Sequence, residues 1–211
     1  MPVDIKNRQY RSMTALMEPV IDESSEQPTY RVCGYATTWD DPYMLYESEY
    51  SGKVYEQISR NAIDADTDVS DVIMQYDHTG SVMARLSNGT LSIFPDDPHG
   101  LRVEADLSKS AAARNLYEEI SNGLVTRMSW AFSVDNDSYE HDREARTCTR
   151  TIAHVKKVFD VSAVSIPAND ATEISARSYF DGVIEAEQQE LLKRRREREA
   201  EAARLRLISL E

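Results

Sequence analysis

The sequence predicts a mainly β domain with flanking helices, closed or nearly closed into a barrel. Three observations carry that expectation: short apolar strands at regular spacing, a single strong helix among them, and a shift in composition after Gly182. Strand candidates are Tyr30–Trp39, Lys53–Ile58, Val72–His78, Val82–Leu86, Thr90–Phe94, Leu101–Leu107, Leu124–Val134, Thr147–His154 and Val158–Ile166. Turns between them are marked by Asp40-Asp41-Pro42, Thr79-Gly80, Asn88-Gly89 and the Pro95–Gly100 segment. A tyrosine-rich, acidic stretch up to Tyr50 reads as a loop.

The internal helix is expected over Ser110–Asn122, where Ala112, Leu116 and Ile120 recur every four residues. Ser108 or Ser110 can cap its start, and Gly123 stands where a left-handed stop residue belongs. Residues 1–29 read as a flexible N-terminal arm ending in the polar run Asp22–Pro28. From Val183 to Leu207 the chain is rich in Glu, Arg, Ala and Leu and contains no Gly or Pro, which predicts a long charged helix. Ser175–Gly182 is its hinge. The domain scheme is therefore an arm over 1–29, a core domain over 30–177, and a hinge with a helix over 178–211. No internal repeat is visible.

Composition narrows the function. The chain has 211 residues and a net charge of −13. Seven acids and seven bases from Val183 onward cancel, so residues 1–182 carry all of the −13. Such a domain repels phosphate backbones, so no nucleic-acid partner is expected. No apolar run approaches the roughly 20 residues that span a bilayer, so no membrane partner is expected either. The N-terminus lacks the apolar stretch of a secretory leader. Two cysteines, Cys33 and Cys148, are too few for a disulfide framework and read as reduced thiols in a cytosolic setting. No cofactor is expected.

In the strand Leu124–Val134, alternation places Met128, Trp130, Phe132 and Val134 on one face. Val125, Arg127, Ser129, Ala131 and Ser133 lie on the other, a small and polar surface that a substrate carbonyl could approach. Ser129 is a candidate nucleophile, with Ser133 on the same face as its control. A serine hydroxyl needs a base to take its proton, and histidine is the usual one. His99 lies in a Pro-His-Gly turn and His141 in a charged loop, both simply exposed. His154 sits in a strand before two lysines. His78 ends an apolar strand beside a turn, where a ring can be both fixed and accessible. Asp160 interrupts an apolar strand, so it is either paired or at an edge facing water. A metal-dependent hydrolase built on Asp77, His78, His141 and Asp142 is the weaker alternative, because no His-x-x-x-His or Cys-x-x-Cys spacing exists.

An ordered set of segments then resembles the tailed-phage prohead (capsid-maturation) proteases, relatives in fold of the herpesvirus capsid-maturation protease. It runs through Gly34-Tyr35-Ala36, Ile58–Ile63, Tyr76-Asp77-His78, Asn88–Leu91, Gly100-Leu101, Gly123-Leu124, Met128–Phe132, Asp160–Ala168, Thr172 and Arg177. The resemblance implies a herpesvirus-protease-like β-barrel with a small helical entry at Ile58–Ile63. It implies a serine endopeptidase with Ser129 as nucleophile, His78 as base and Asp160 as the orienting acid. The herpesvirus relatives carry a second histidine at that third place and stabilise the oxyanion with an arginine-rich loop. Here the matching loop, Pro167-Ala168-Asn169-Asp170, has no arginine. Scaffold and major capsid protein are the implied substrates, cleaved in the host cytoplasm inside the assembling procapsid. The charged tail allows a homodimer or docking on scaffold. A catalytically inactive assembly component on the same barrel is the alternative, and it requires Ser129 and His78 to lie too far apart for proton transfer.

Overall fold

The computed structural model describes residues 8–20, 29–48, 52–142, 144–165 and 193. In chain order the strands are β1 (Gln9–Leu16), β2 (Glu18–Pro19), β3 (Arg31–Thr38), β4 (Tyr43–Ser48), β5 (Gly52–Ile58), β6 (Ile73–Tyr76), β7 (Thr79–Arg85), β8 (Leu91–Phe94), β9 (Gly100–Asp106), β10 (Arg127–Asp142) and β11 (Thr147–Val164). The α-helix described, α1, spans Ala111–Ser121 between β9 and β10. Ser110 caps α1 by accepting from the Ala113 amide. At its other end the Gly123 amide donates to the Ile120 carbonyl and the Leu124 amide to that of Glu119. These are the paired bonds of a Schellman stop, and Gly123 has the left-handed φ of +71° that this stop requires.

The strands form two sheets. Seven make the larger one, in the order β1-β10-β11-β5-β4, with β6 pairing β11 and β7 pairing β6. The smaller sheet runs β2-β3-β9-β8. Their facing surfaces enclose one core: Leu91, Leu101 and Val103 from the small sheet, Met128, Trp130 and Phe132 from β10, and Leu116 and Ile120 from α1. Trp130 and Phe132 stack with centroids 4.0 Å apart, so the expected apolar face of this strand is the core face. Burying each such side chain contributes roughly 1.5–3 kcal/mol.

β11 organises the larger sheet. One edge pairs antiparallel with β10 along nearly its whole length. The other edge is shared by two parallel partners, β5 against Thr147–Ile152 and β6 against Asp160–Ala163. At the first of these, Gly52 approaches Arg146 so closely that a Cβ would lie 1.9 Å from its carbonyl oxygen.

Several expectations need correction. The described strands do not close into a barrel: β2, β4, β7 and β8 each pair on one side only. β2 is two residues long and ends in Pro19, which has no N–H to extend a ladder. β10 and β11, of 16 and 18 residues, run on together as a ribbon beyond β1, whose register on β10 ends at Phe132, with β5 still paired along Thr147–Ile152 of β11. Within the segment expected as an arm, Gln9–Leu16 forms β1, hydrogen-bonded along β10 and anchored by the buried Arg11. The tyrosine-rich stretch is β4, which pairs with β5. The two C-terminal strand candidates are one strand. Ile58–Ile63 leaves β5 through a turn rather than a helix. The C-terminal helix and its hinge lie outside the described residues except for Lys193, as does the Pro167–Asp170 loop.

Candidate active site

The rear face of the larger sheet carries two cross-strand rows. In one, Ser12 of β1, Ser129 of β10 and Ser162 of β11 stand in register. In the next, Tyr10, Ala131 and Asp160 do the same. Residues directly opposite in neighbouring strands share a face, so both rows present their side chains to the same side. Ala131, with only a methyl group, leaves room above the sheet between Tyr10 and Asp160. An extra residue in β11, Phe159, faces the step from Ala131 to Phe132 and makes a β-bulge immediately before Asp160.

The imidazole reaches this face from the β6–β7 hairpin. Its two turn residues, Asp77 and His78, have φ of +49° and +56°. Tight primed hairpin turns require such values at both central positions. For residues other than glycine this costs on the order of 1 kcal/mol each, so the surroundings must hold it. Asp77 supplies that hold. Its amide donates to the Ala163 carbonyl at 2.9 Å, and its carboxylate accepts from the Ser165 amide at 2.9 Å and the Ser165 hydroxyl at 2.8 Å. The hairpin is thereby pinned to the end of β11.

With the turn so fixed, His78 Nδ1 lies 2.5 Å from Asp160 Oδ1, and His78 Nε2 lies 2.7 Å from Ser129 Oγ. An ionised Asp160 accepts only, so Nδ1 carries the proton and Nε2 is left to accept from the serine. Asp160 Oδ1 also accepts from Ser162 Oγ at 2.8 Å, and Ser162 Oγ accepts from the Gln75 amide. Ser129, Asp160 and Ser162 are buried. Of the three aligned groups only His78 has appreciable exposed side-chain surface, 14%. The arrangement can relay a proton from a hydroxyl to an imidazole whose developing charge faces a buried carboxylate.

The structure thus brings Ser129, His78 and Asp160 together. Ser133, the control, lies further along β10 opposite Lys157. His99 and His141 are exposed. His154 bridges two carboxylates, Asp135 at 2.6 Å and Asp64 at 3.2 Å. Those hydrogen bonds, that to Asp135 foremost, push its pKa above the ordinary histidine value. Among the described residues no cluster of three His, Cys, Asp or Glu side chains could hold a metal ion. Cys33 and Cys148 form no disulfide among the described residues.

Sequence reasoning missed Arg8, Tyr10 and Gln75 as neighbours of this site. It also missed a buried ionic cluster beside it: Glu56 with Arg11 at 2.5 Å, Arg150 at 2.9 Å and the Tyr43 hydroxyl at 2.5 Å. Burial alone would raise the Glu56 carboxyl, but the Arg11 and Arg150 charges and the Arg11 and Tyr43 hydrogen bonds hold it below its usual value. Arg11, Glu56 and Arg150 sit in strands of polar or mixed composition, which gave no signal of their burial.

A family model described as the caudovirus prohead serine protease matches residues 18–183. No curated protein and no solved structure matches the chain.

Proposed function

The chain belongs to the caudovirus prohead serine proteases, and from that premise we propose that it cleaves scaffold and major capsid proteins with Ser129, His78 and Asp160 as its catalytic triad. The observation that carries this reading is the continuous hydrogen-bonded line from Asp160 through His78 to Ser129. Ser129 Oγ attacks the scissile carbonyl while His78 Nε2 takes its proton. Asp160 holds the imidazole in the correct tautomer and stabilises the imidazolium. The protonated His78 then gives its proton to the leaving amine, and water hydrolyses the acyl-serine by the same relay. Because Ser129 is buried, substrate approaches over the exposed side of His78. The place of action is the interior of the assembling procapsid in the host cytoplasm.

A catalytically inactive assembly component would need Ser129 and His78 beyond proton-transfer reach, and 2.7 Å argues for chemistry instead. The test is co-expression with scaffold and major capsid protein, followed by mass spectrometry of their termini. New termini should appear with the wild-type chain and disappear with Ser129→Ala, which the small-residue face tolerates. Processing that persists in Ser129→Ala contradicts the assignment.

A further inference from the structure

We propose that Arg8, immediately before β1, and Tyr10 within it are positioning residues for the His78–Asp160 pair, so that a segment preceding the family-matched span completes the active site. The inference rests on the triad assignment above. His78 is held at Nδ1 by Asp160 and at Nε2 by Ser129. Two bonds on opposite sides of a ring define an axis, and neither resists rocking of the ring about it. The Tyr10 ring supplies the third contact. It meets the imidazole edge-on, with centroids 4.8 Å apart and planes at 73°.

Arg8 acts on the other partner. Asp160 Oδ1 accepts from both His78 and Ser162, while Oδ2 faces the Arg8 guanidinium at 3.9 Å. That guanidinium lies 4.1 Å from the centroid of the Phe159 ring, the bulged residue beside Asp160. A cation on the Oδ2 side keeps the carboxylate turned so that Oδ1 meets the imidazole. β1 itself is fixed. Arg11 bonds the buried Glu56 at 2.5 and 2.9 Å, and the strand pairs with β10 over Gln9–Met13. This argues against a displaceable strap over the serine, the opposite role the same strand could have.

The test measures the reaction of the full chain with a fluorophosphonate, resolving the limiting rate of serine phosphonylation from the apparent affinity, with thermal midpoints as the fold control. Tyr10→Leu should lower the limiting rate about threefold to tenfold, the range expected for one edge-to-ring contact. Affinity should not change. Tyr10→Phe, which keeps the ring edge, should restore most of the loss, whereas a merely structural defect would move affinity or midpoint instead. An unchanged rate in Tyr10→Leu, a faster one, or a Tyr10→Phe as slow as Tyr10→Leu overturns the proposal. Should Tyr10→Leu fail to fold, Arg8→Ala takes over, since that side chain is 23% exposed. A slower limiting rate then supports positioning, and a wild-type rate overturns it. Ser129→Ala is run alongside: labelling that survives it identifies a wrong triad, a failure distinct from a wrong role for β1.

Discussion

Replacing Asp160 by asparagine changes one atom of a buried group and should nearly silence the enzyme. Asp160 Oδ1 accepts from both His78 Nδ1 and Ser162 Oγ, and Oδ2 faces Arg8. In Asp160→Asn the amide must choose an orientation. Its oxygen is drawn to the Arg8 cation, which turns the NH₂ toward His78. The ring then presents an unprotonated Nδ1 and carries its proton on Nε2, where it cannot accept from Ser129. Ser162 Oγ accommodates the swap, because a hydroxyl can accept as well as donate. The fold should therefore survive while kcat/KM falls on the order of 10⁴, as for loss of a buried triad acid. That corresponds to about 5 kcal/mol of transition-state stabilisation at 1.36 kcal/mol per decade. The assay is hydrolysis of a fluorogenic peptide spanning a scaffold cleavage junction, with thermal midpoints measured in parallel. A fall of less than about tenfold, against the 10⁴ of a triad acid, would refute the tautomer argument and reduce Asp160 to a structural role.

Other consequences follow from neighbouring residues. Ala131→Leu fills the space above the sheet that the imidazole needs; peptide hydrolysis should fall about a hundredfold or more, with only the roughly 1–3 kcal/mol stability cost of overpacking, and near-normal activity would contradict the placement of the ring. Glu56→Ala leaves the buried Arg11 without its carboxylate and takes one of two carboxylates from Arg150, which keeps Asp137, so urea denaturation should show a loss of about 3–5 kcal/mol; a loss below about 1 kcal/mol, the scale of a surface pair, would mean that the cluster is not dry. His154 has a raised folded pKa, so its clamp on Asp135 and Asp64 is fully present below the ordinary value of 6.5 and is lost as pH rises through the raised value. An NMR titration should find His154 protonating above pH 6.5, and a midpoint at or below that would contradict the bridging geometry.

What the sequence made legible followed patterns that reflect burial. Alternation in Met128–Val134 identified the core face of β10, and four-residue recurrence with Ser110 and Gly123 fixed α1 to within a residue at each end. Asp160 stood out because a carboxylate in an apolar strand demands a partner. The errors share a different cause. β1 is a polar strand in which Arg11 is buried only because Glu56 neutralises it, and β4 is an edge strand that pairs with β5 alone among the described strands. The ribbon beyond Val134 continues through Asp135–Asp142, polar residues stabilised by pairing rather than by burial. A barrel was expected because short strands at regular spacing do not reveal which edges remain unpaired. That His78 meets Asp160 depends on a left-handed turn pinned by Asp77, a tertiary contact with no periodic signature.

The central claim, that Ser129 is the nucleophile and is activated by His78, is tested most directly by locating a fluorophosphonate adduct in the intact chain by peptide mass spectrometry. The account predicts a single modified serine, Ser129, with the adduct lost in His78→Ala while the chain stays folded. An adduct on Ser133 or Ser162, or one on Ser129 that forms equally fast in His78→Ala, would contradict it.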